Sequence, residues 1–213
     1  MGDLIGWVTI HGDIIGRTTQ EHVVLAAVAL AIVLALALPL GILLAGRESL
    51  SAPVIGIANT LRTIPSLALL VIMLPVLGTG FLPSVVALSL YGLPAVLVNT
   101  VTGLRQVDGD VVEAARGQGL SEGDILRRVM LPLAVPTIMA GIRTAAVQIV
   151  SAATLAVFIG GGGLGELISS GLGLMDMAQL TTGALLVAAL ALMTELGLGG
   201  LQGHLSRRFG LTA

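Results

Sequence analysis

The charged loop between residues 105 and 133 is the part of this chain best suited to binding another protein. Glu113 and Arg116 stand one helical turn apart, with Ala114 and Ala115 between them. A helix with this pattern offers charged hydrogen bonds at its rim, while the alanines let a second surface approach closely. The pattern indicates a short helix seated in a groove of a partner protein.

Two short helices are expected in this loop, because it contains both a stop and a start signal. Gly119 can adopt the left-handed conformation that ends a helix. Ser121 suits the N-cap of a following helix, and Asp124 comes three residues later in a weak capping-box arrangement. The loop is therefore predicted to be an elbow of two helices. From these residues alone, a solvated amphipathic connector remains the alternative.

The loop also resembles the EAA loop of ABC importer permeases. That motif reads Glu-Ala-Ala, three residues, Gly, nine residues, Ile, one residue and Leu-Pro, and every spacing is kept here, with Val129 in place of Ile. The resemblance implies a coupling helix that docks on a cytoplasmic ATPase subunit and transmits its closure to the membrane. The residues concerned are Glu113, Ala114, Ala115, Arg116, Gly119, Leu131 and Pro132.

A second polar pattern begins at residue 59. The segment 59–69 resembles the Asn-Thr-x-x-Thr-Ile-Pro-Ser-Leu-Ala-Leu stretch of permeases for glycine betaine, choline and carnitine. Its polar residues are spaced i, i+3, i+4 and i+7 and are predicted to share one helix face. They are Asn59, Arg62, Thr63 and Ser66. Pro65 removes one hydrogen bond of the helix and is a candidate kink.

A third pattern lies between residues 137 and 151. Thr137, Thr144, Gln148 and Ser151 fall within about 60 degrees on a helical wheel. This stripe and the one at 59–66 are candidates for the walls of a water-accessible path. The alternative is that these polar side chains hold helices together through interhelical hydrogen bonds.

The segment 160–168 resembles the Gly-Gly-Gly-Leu-Gly-Glu turn of the same permeases, with Glu166 as its acid. Its glycines permit tight packing at a gate, and a plain flexible turn is the alternative. Arg62, Arg143 and Glu195 lie within apolar segments, nearer the predicted cytoplasmic ends. They are expected to face the bundle or to reach the membrane interface by snorkelling.

The elements that position these residues are membrane spans. The chain has 213 residues, is 55% hydrophobic and 10% charged, and has a mean hydropathy of +1.04. About 20 apolar residues cross a bilayer as a helix. The sequence therefore predicts an all-α integral membrane protein. Five spans are expected, at about 23–45, 54–77, 82–104, 136–159 and 181–201.

The arginines predict the orientation of these spans. With five spans, Arg47, Arg105, Arg116, Arg127, Arg128, Arg207 and Arg208 fall on one side, whereas Arg17 falls on the other. Positive residues are retained in the cytoplasm. Residues 1–22 are therefore expected to be an extracytoplasmic segment. The permease domain is expected at 23–204, with the coupling loop 105–133 and the tail 205–213 in the cytoplasm.

Several functions are poorly supported by the sequence. There is no lysine, so no phosphate-binding loop could be built, and there is no cysteine for a disulfide or thiolate metal site. His11, His22 and His204 lack ligand spacing and are interpreted as surface or interface residues. No cofactor, metal or catalytic residue is predicted, and nothing indicates nucleic acid binding. The sequence has one Trp, one Tyr and three Phe, and no aromatic cage for a quaternary ammonium group is visible in it.

Together, the three motifs resemble an osmoprotectant-type ABC permease from about residue 20 to about residue 205. The resemblance implies the type I importer permease fold in a bacterial plasma membrane. It also implies two ATPase subunits that use ATP and Mg²⁺, a second identical or homologous permease and an extracytoplasmic binding protein. The open alternatives are another cargo such as an amino acid, an ion-coupled secondary transporter and a membrane scaffold.

Overall fold

The computed structural model describes residues 2–209, and this part of the chain is helical, with no strand. The helices are α1 (Gly2–Ile10), α2 (Gly12–Ala45), α3 (Glu48–Leu61), α4 (Ser66–Leu77), α5 (Phe81–Arg105), α6 (Gly109–Gly117), α7 (Glu122–Ile125), α8 (Leu131–Ala152), α9 (Gly165–Gly173) and α10 (Met177–Arg208). A π-helical turn (Leu126–Met130) joins α7 to α8, and a 3-10 stretch (Ala153–Ile159) extends α8.

Four helical segments among the described residues are long and apolar enough to cross a membrane, and a bent pair counts as a fifth only where its two helices form one broken span. The single segments are α2, α5, the continuous stretch Glu122–Ile159, and α10. Each contains one predicted span. α2 and the stretch Glu122–Ile159 begin well before the apolar residues do, since hydrogen bonding along the helix continues beyond the apolar part.

The predicted single span 54–77 is wrong as one helix. α3 ends at Leu61 and α4 begins at Ser66, and Ser49–Leu61 lies at 96° to Ser66–Leu77. Pro65 has no N–H to continue the ladder and disfavours helical backbone at Ile64, so the helix stops before it. The 12 residues of α4 extend only about 18 Å, little more than half of a hydrocarbon core of about 30 Å.

α5 is the centre of the bundle. It is the most buried of the four single-helix spans and packs between α2 and α8, whereas the most apolar part of α10 has no buried residue. The main apolar core joins α2, α4, α5 and α8 and includes Leu25, Leu70, Leu88 and Ile149. Small residues bring α5 and α8 close together, which is how membrane helices gain packing contacts.

The bundle has two distinct ends. At one end, here called the Arg17 end, the start of α2 lies beside the turn 160–163. At the other, here called the elbow end, Arg105 Nε donates to the Ala45 carbonyl at 3.2 Å, which joins the ends of α5 and α2. α6 and α7 lie at the elbow end, where Leu126 and Met130 of the following π-helical turn pack against a second apolar cluster around Leu104, Ala134 and Ile138.

Candidate functional site

The loop 105–133 forms the predicted elbow of two helices. α6 ends at Gly117, and Gly119 has a φ of +85°, the left-handed conformation expected of it. The Leu120 N–H donates to the Ala115 carbonyl at 3.3 Å, and the Gly119 N–H to the Arg116 carbonyl at 3.0 Å. This pair of bonds is a Schellman motif, in which a positive φ satisfies carbonyls at the end of a helix.

The second arm of the elbow begins with the predicted cap. The Asp124 N–H donates to Ser121 Oγ at 3.2 Å, and Ser121 Oγ donates to Asp124 Oδ2 at 2.7 Å. In a full capping box, the Asp124 side chain would instead accept a hydrogen bond from the backbone N–H of Ser121. α6 begins in a similar way, since the Asp108 carboxylate accepts from the Asp110 N–H at 2.9 Å.

An ion pair bridges the two arms. Arg116 Nε lies 2.8 Å from Glu122 Oε1, with both side chains exposed. Their hydrogen bond, reinforced by their opposite charges, raises the pKa of Arg116 and lowers that of Glu122. Arg116 therefore links the two arms within this chain, and its contact with a partner protein stays a prediction.

Only part of the predicted docking surface is open to a partner. Glu113 and Ala114 are exposed, whereas Ala115 is only 7% exposed and faces its own chain. The small size of Ala115 therefore lets α6 approach the rest of the elbow. Ile125 of the other arm is fully buried. The exposed residues of α6 are Gly109, Asp110, Val111, Glu113, Ala114, Arg116 and Gly117.

Leu131 and Pro132 explain how the elbow joins α8. Pro132 lacks an N–H for the carbonyl four residues earlier, and its ring would clash with that carbonyl in a regular helix. The chain widens to a π turn at Leu126–Met130, and the Leu131 N–H donates to the Leu126 carbonyl. Such π turns are common at functional sites. The second arm of the elbow and α8 are thereby one continuous stretch, Glu122–Ile159.

A cavity of about 280 Å³ opens on one face of the bundle between α4, α5 and α8. It is lined by Ser66, Tyr91, Val147, Gln148, Ser151, Ala152 and Leu155. Ser66 begins α4, and Gln148 and Ser151 lie two to three turns before the end of the 3-10 stretch. At 1.5 Å per residue this places the cavity about 15 Å from the Arg17 end, near the midplane of the bilayer.

The cavity unites three of the predicted path residues and separates the others from them. Asn59, Arg62 and Thr63 are exposed at the end of α3 and do not share a helix face with Ser66, because the chain bends at Pro65. The predicted face assumed one continuous helix. On α8, Thr144 is exposed and donates to the Ala140 carbonyl at 2.9 Å, while Thr137 lines a different cavity beside Gly103.

Glu166 has a partner that no local pattern indicates. Arg17 Nη2 lies 3.0 Å from Glu166 Oε2, and Arg17 Nη1 lies 2.8 Å from Glu21 Oε1. Glu21 Oε2 also accepts the Gly163 N–H at 3.1 Å. We call these three charged residues the Arg17 cluster. It ties the start of α2 to the turn 160–163 and to α9.

Two functionally placed residues were missed by the sequence analysis. His22 is fully buried and bonds the Val150 carbonyl through Nε2 at 2.9 Å, so its interpretation as a surface or interface residue is wrong. The available signal for its burial was its position on the same helical face as Thr18, four residues earlier. Tyr91 lies in the middle of its span and lines the cavity. Tyrosine concentrates at the membrane interface, so a tyrosine in the middle of a span was the available signal.

The chain matches, over residues 37–210, the family described as binding-protein-dependent transport system inner membrane component. It belongs to this family. The membrane subunits of this family are not the catalytic subunits, since ATP is hydrolysed by a separate ATPase subunit. Among the described residues of this permease, no group of three or more His, Asp or Glu side chains could hold a metal ion.

Similar proteins cover nearly the whole permease. It is 38% identical to the choline transport system permease protein OpuBB of Bacillus subtilis, over 92% of this chain and 90% of that one. It is 40% identical to the carnitine transport permease protein OpuCB of Listeria monocytogenes, over 88% and 86% of the two chains. It is 37% identical to the osmoprotectant import permease protein OsmW of Salmonella typhimurium, over 94% and 95%.

Its fold is that of an importer permease of known structure. A chain of the MetNI methionine ABC transporter, crystallised in inward-facing conformations, superposes with a TM-score of 0.80 at 23% identity. The match covers 90% of this chain and 95% of that chain. The predicted all-α type I permease fold is confirmed by this likeness.

Two charges inside the apolar part of the permease are paired with each other. Arg143 Nε of α8 lies 3.3 Å from Glu195 Oε1 of α10, with side chains 36% and 44% exposed. These residues were expected to face the bundle or to reach the interface by snorkelling, and in this structure the two charges face each other across the contact between α8 and α10. Close by, Gln202 Nε2 of α10 donates to the Pro136 carbonyl at 3.0 Å.

Removing one member of this pair is expected to cost more than removing both. Arg143→Gln or Glu195→Gln leaves an unpaired charge among apolar side chains, whereas the double variant leaves none. We expect a coupling energy of about 1 kcal/mol, modest because both groups are partly exposed. Unfolding of the purified permease in mixed micelles would measure it. Strictly additive effects would contradict the pairing.

Proposed function

We propose that this permease imports osmoprotectants of the quaternary ammonium class, such as glycine betaine, choline or carnitine, as one subunit of an ATP-driven importer. The observation that carries the proposal is the set of relatives named for choline, carnitine and osmoprotectants. They are 37–40% identical over about nine-tenths of the chain. Residues 59–69, which carry the quaternary ammonium permease pattern, support the same cargo because Ser66 lines the mid-depth cavity.

The elbow end is assigned to the cytoplasm and the Arg17 end to the outside. The arginines at the ends of α2, α5 and α10 and in the elbow all belong to the elbow end, and Arg17 stands alone opposite them. They are Arg47, Arg105, Arg116, Arg127, Arg128, Arg207 and Arg208. Positive residues are retained on the cytoplasmic side. This leaves α1 outside and the end of α10 inside.

The assembly contains two cytoplasmic ATPase subunits, a second permease and an extracytoplasmic binding protein. ATP and Mg²⁺ are used by the ATPase subunits. The second permease, identical or homologous, covers the open face that carries the mid-depth cavity, so that the two chains enclose one path. Glu113 and Ala114, exposed on α6, are the contact with an ATPase subunit, and the elbow is the coupling element.

Coupling passes from the elbow to the cavity through one continuous stretch of chain. α7, the π turn and α8 follow each other without a break, and Gln148 and Ser151 lie on the far part of α8. Closure of the ATPase subunits shifts the elbow, and α8 carries the shift to the cavity. Because packed helices move as rigid elements between discrete arrangements, the path opens to one side at a time.

The cavity suits transient contact with the cargo better than tight binding. Tyr91 is its only aromatic lining residue, and Ser66, Gln148 and Ser151 supply polar groups. Tight capture of a quaternary ammonium group takes several aromatic rings. High affinity therefore belongs to the binding protein, and the cavity passes the cargo on.

ATPase activity of the reconstituted complex tests this function. Binding protein loaded with glycine betaine, choline or carnitine is expected to stimulate hydrolysis several-fold, whereas methionine is not. Glu113→Ala, at the exposed rim of α6, is expected to reduce that stimulation. Stimulation by an amino acid alone would move the cargo to another class. Transport without any ATPase subunit would establish an ion-coupled secondary transporter instead.

A further inference from the structure

We propose that the Arg17 cluster and the turn 160–163 form a clasp that closes the path on the extracytoplasmic side and opens in the outward-facing state. This inference rests on the proposed function for its orientation and its role in transport. The contacts that carry it are independent of that function. They join residues about 140 to 150 positions apart in the chain, so they are set by the fold.

The clasp has two polar links between α2 and the segment that follows the 3-10 stretch, and a third bond within α2 that orients Arg17. The Arg17 guanidinium donates to Glu21 at 2.8 Å and to Glu166 at 3.0 Å. The other oxygen of Glu21 accepts the N–H of Gly163 at 3.1 Å. Glu21 thus binds the turn directly, and Arg17 binds α9 just after it.

The clasped turn fits closely onto two helices, α2 and α5. A side chain at Gly161 would collide with Ser84 of α5, and a Cβ at Gly163 would lie 3.1 Å from His22 Nδ1 of α2. The Gly80 N–H, just before α5, donates to the Ile159 carbonyl at 2.7 Å. The turn therefore covers Ser84, which is fully buried. His22, which lies against Gly163, is held in place by its bond to the Val150 carbonyl.

The same contacts are suited to opening. The side chains of Arg17, Glu21 and Glu166 are 54%, 36% and 35% exposed, and they border an open cavity of about 560 Å³. Ion pairs in contact with solvent exchange their partners for water at little cost. Residues 160–163 are all glycine, and Gly160, Gly162 and Gly163 have positive φ. Because glycine has no side chain, the turn can move without rearranging side chains of its own. The clasp therefore has a defined geometry, but its ion pairs contribute little free energy to the closed state.

The absence of native cysteine allows a direct test of clasp opening. Ser84→Cys introduces a thiol beneath the turn, and Ser89→Cys introduces one on the same helix, where Ser89 Oγ donates to the Ala29 carbonyl at 3.3 Å, away from the turn. Each is combined with Arg17→Gln or Glu166→Gln. The readout is the rate of modification by a membrane-impermeant thiol reagent, using the permease alone in proteoliposomes.

Loss of the clasp is expected to raise the modification rate of Ser84→Cys by about fivefold, because one weak ion-pair link limits local opening. The rate at Ser89→Cys should stay unchanged. The charge-reversed pair Arg17→Glu with Glu166→Arg keeps the same three charges and should restore the slow rate. Unchanged modification of Ser84→Cys, or an equal increase at both sites, would overturn the clasp.

A second experiment distinguishes failure of the clasp from failure of the proposed function. In the complete complex, ATP and loaded binding protein should speed modification of Ser84→Cys if the clasp opens during transport. If the charge variants act as expected in the permease alone but ATP and binding protein have no effect, the clasp exists and its role in import fails. If the complex transports normally but the charge variants have no effect, the function stands and the clasp fails.

Discussion

Gly119→Val is expected to uncouple ATP hydrolysis from transport. At a φ of +85°, a β-branched side chain meets its own backbone, and the left-handed conformation costs about 2 kcal/mol. The Schellman bonds of Gly119 and Leu120 then break, and the elbow loses its angle to α8. We expect ligand-stimulated transport to fall by about tenfold or more, as measured by uptake into proteoliposomes that contain the full complex.

Gly123→Val is the matched control for this prediction. Gly123 lies four residues further along in α7, without a positive φ and with open space around its Cβ position. The same side chain should therefore be tolerated there, with transport close to that of the unmodified protein. The thermal stability of the Gly119→Val permease should also stay near normal, since the elbow contributes little to the core. Equal losses in both variants would show that bulk, and not backbone conformation, matters in the elbow.

Gly141→Ala is expected to destabilise the bundle itself. A Cβ at Gly141 would lie 2.5 Å from Asn99 Cβ and 2.8 Å from the Ala95 carbonyl oxygen, so α8 would have to move away from α5. Overpacking of this kind typically costs about 1–3 kcal/mol. It exceeds the gain of at most about 1 kcal/mol that Ala brings over Gly within a helix. Unfolding of the purified permease in mixed micelles would measure the free energy change.

Gly200→Ala is the corresponding control in α10. No neighbouring atom lies within 4 Å of its Cβ position, so the substitution adds a methyl group without a clash. The helix preference for Ala should then leave stability unchanged or raise it by a few tenths of a kcal/mol. A Gly141→Ala permease as stable as the Gly200→Ala permease would contradict the close approach of α5 and α8.

The local sequence predicts much of the elbow because its signals act within a few residues. Gly119 adopts its conformation through its own missing Cβ, and Ser121 caps a helix through a residue three positions later. Ala115 was harder to interpret, since its small size serves a contact within this chain. Whether a small residue faces inward or outward depends on packing, and only the structure decides that.

The sequence by itself determined the membrane class, the positions of the apolar segments and the family pattern of the elbow, because hydropathy and turn chemistry are local properties. The tertiary structure decided the rest. The break at Pro65 removes the continuous face predicted for residues 59–66, since a kink and a full helix stop share the same local signal. The burial of His22, the pairing of Glu166 with Arg17 and the joining of Ser66 to Gln148 depend on contacts between distant segments. Such contacts are set by how the helices pack, and no periodicity along one helix records them.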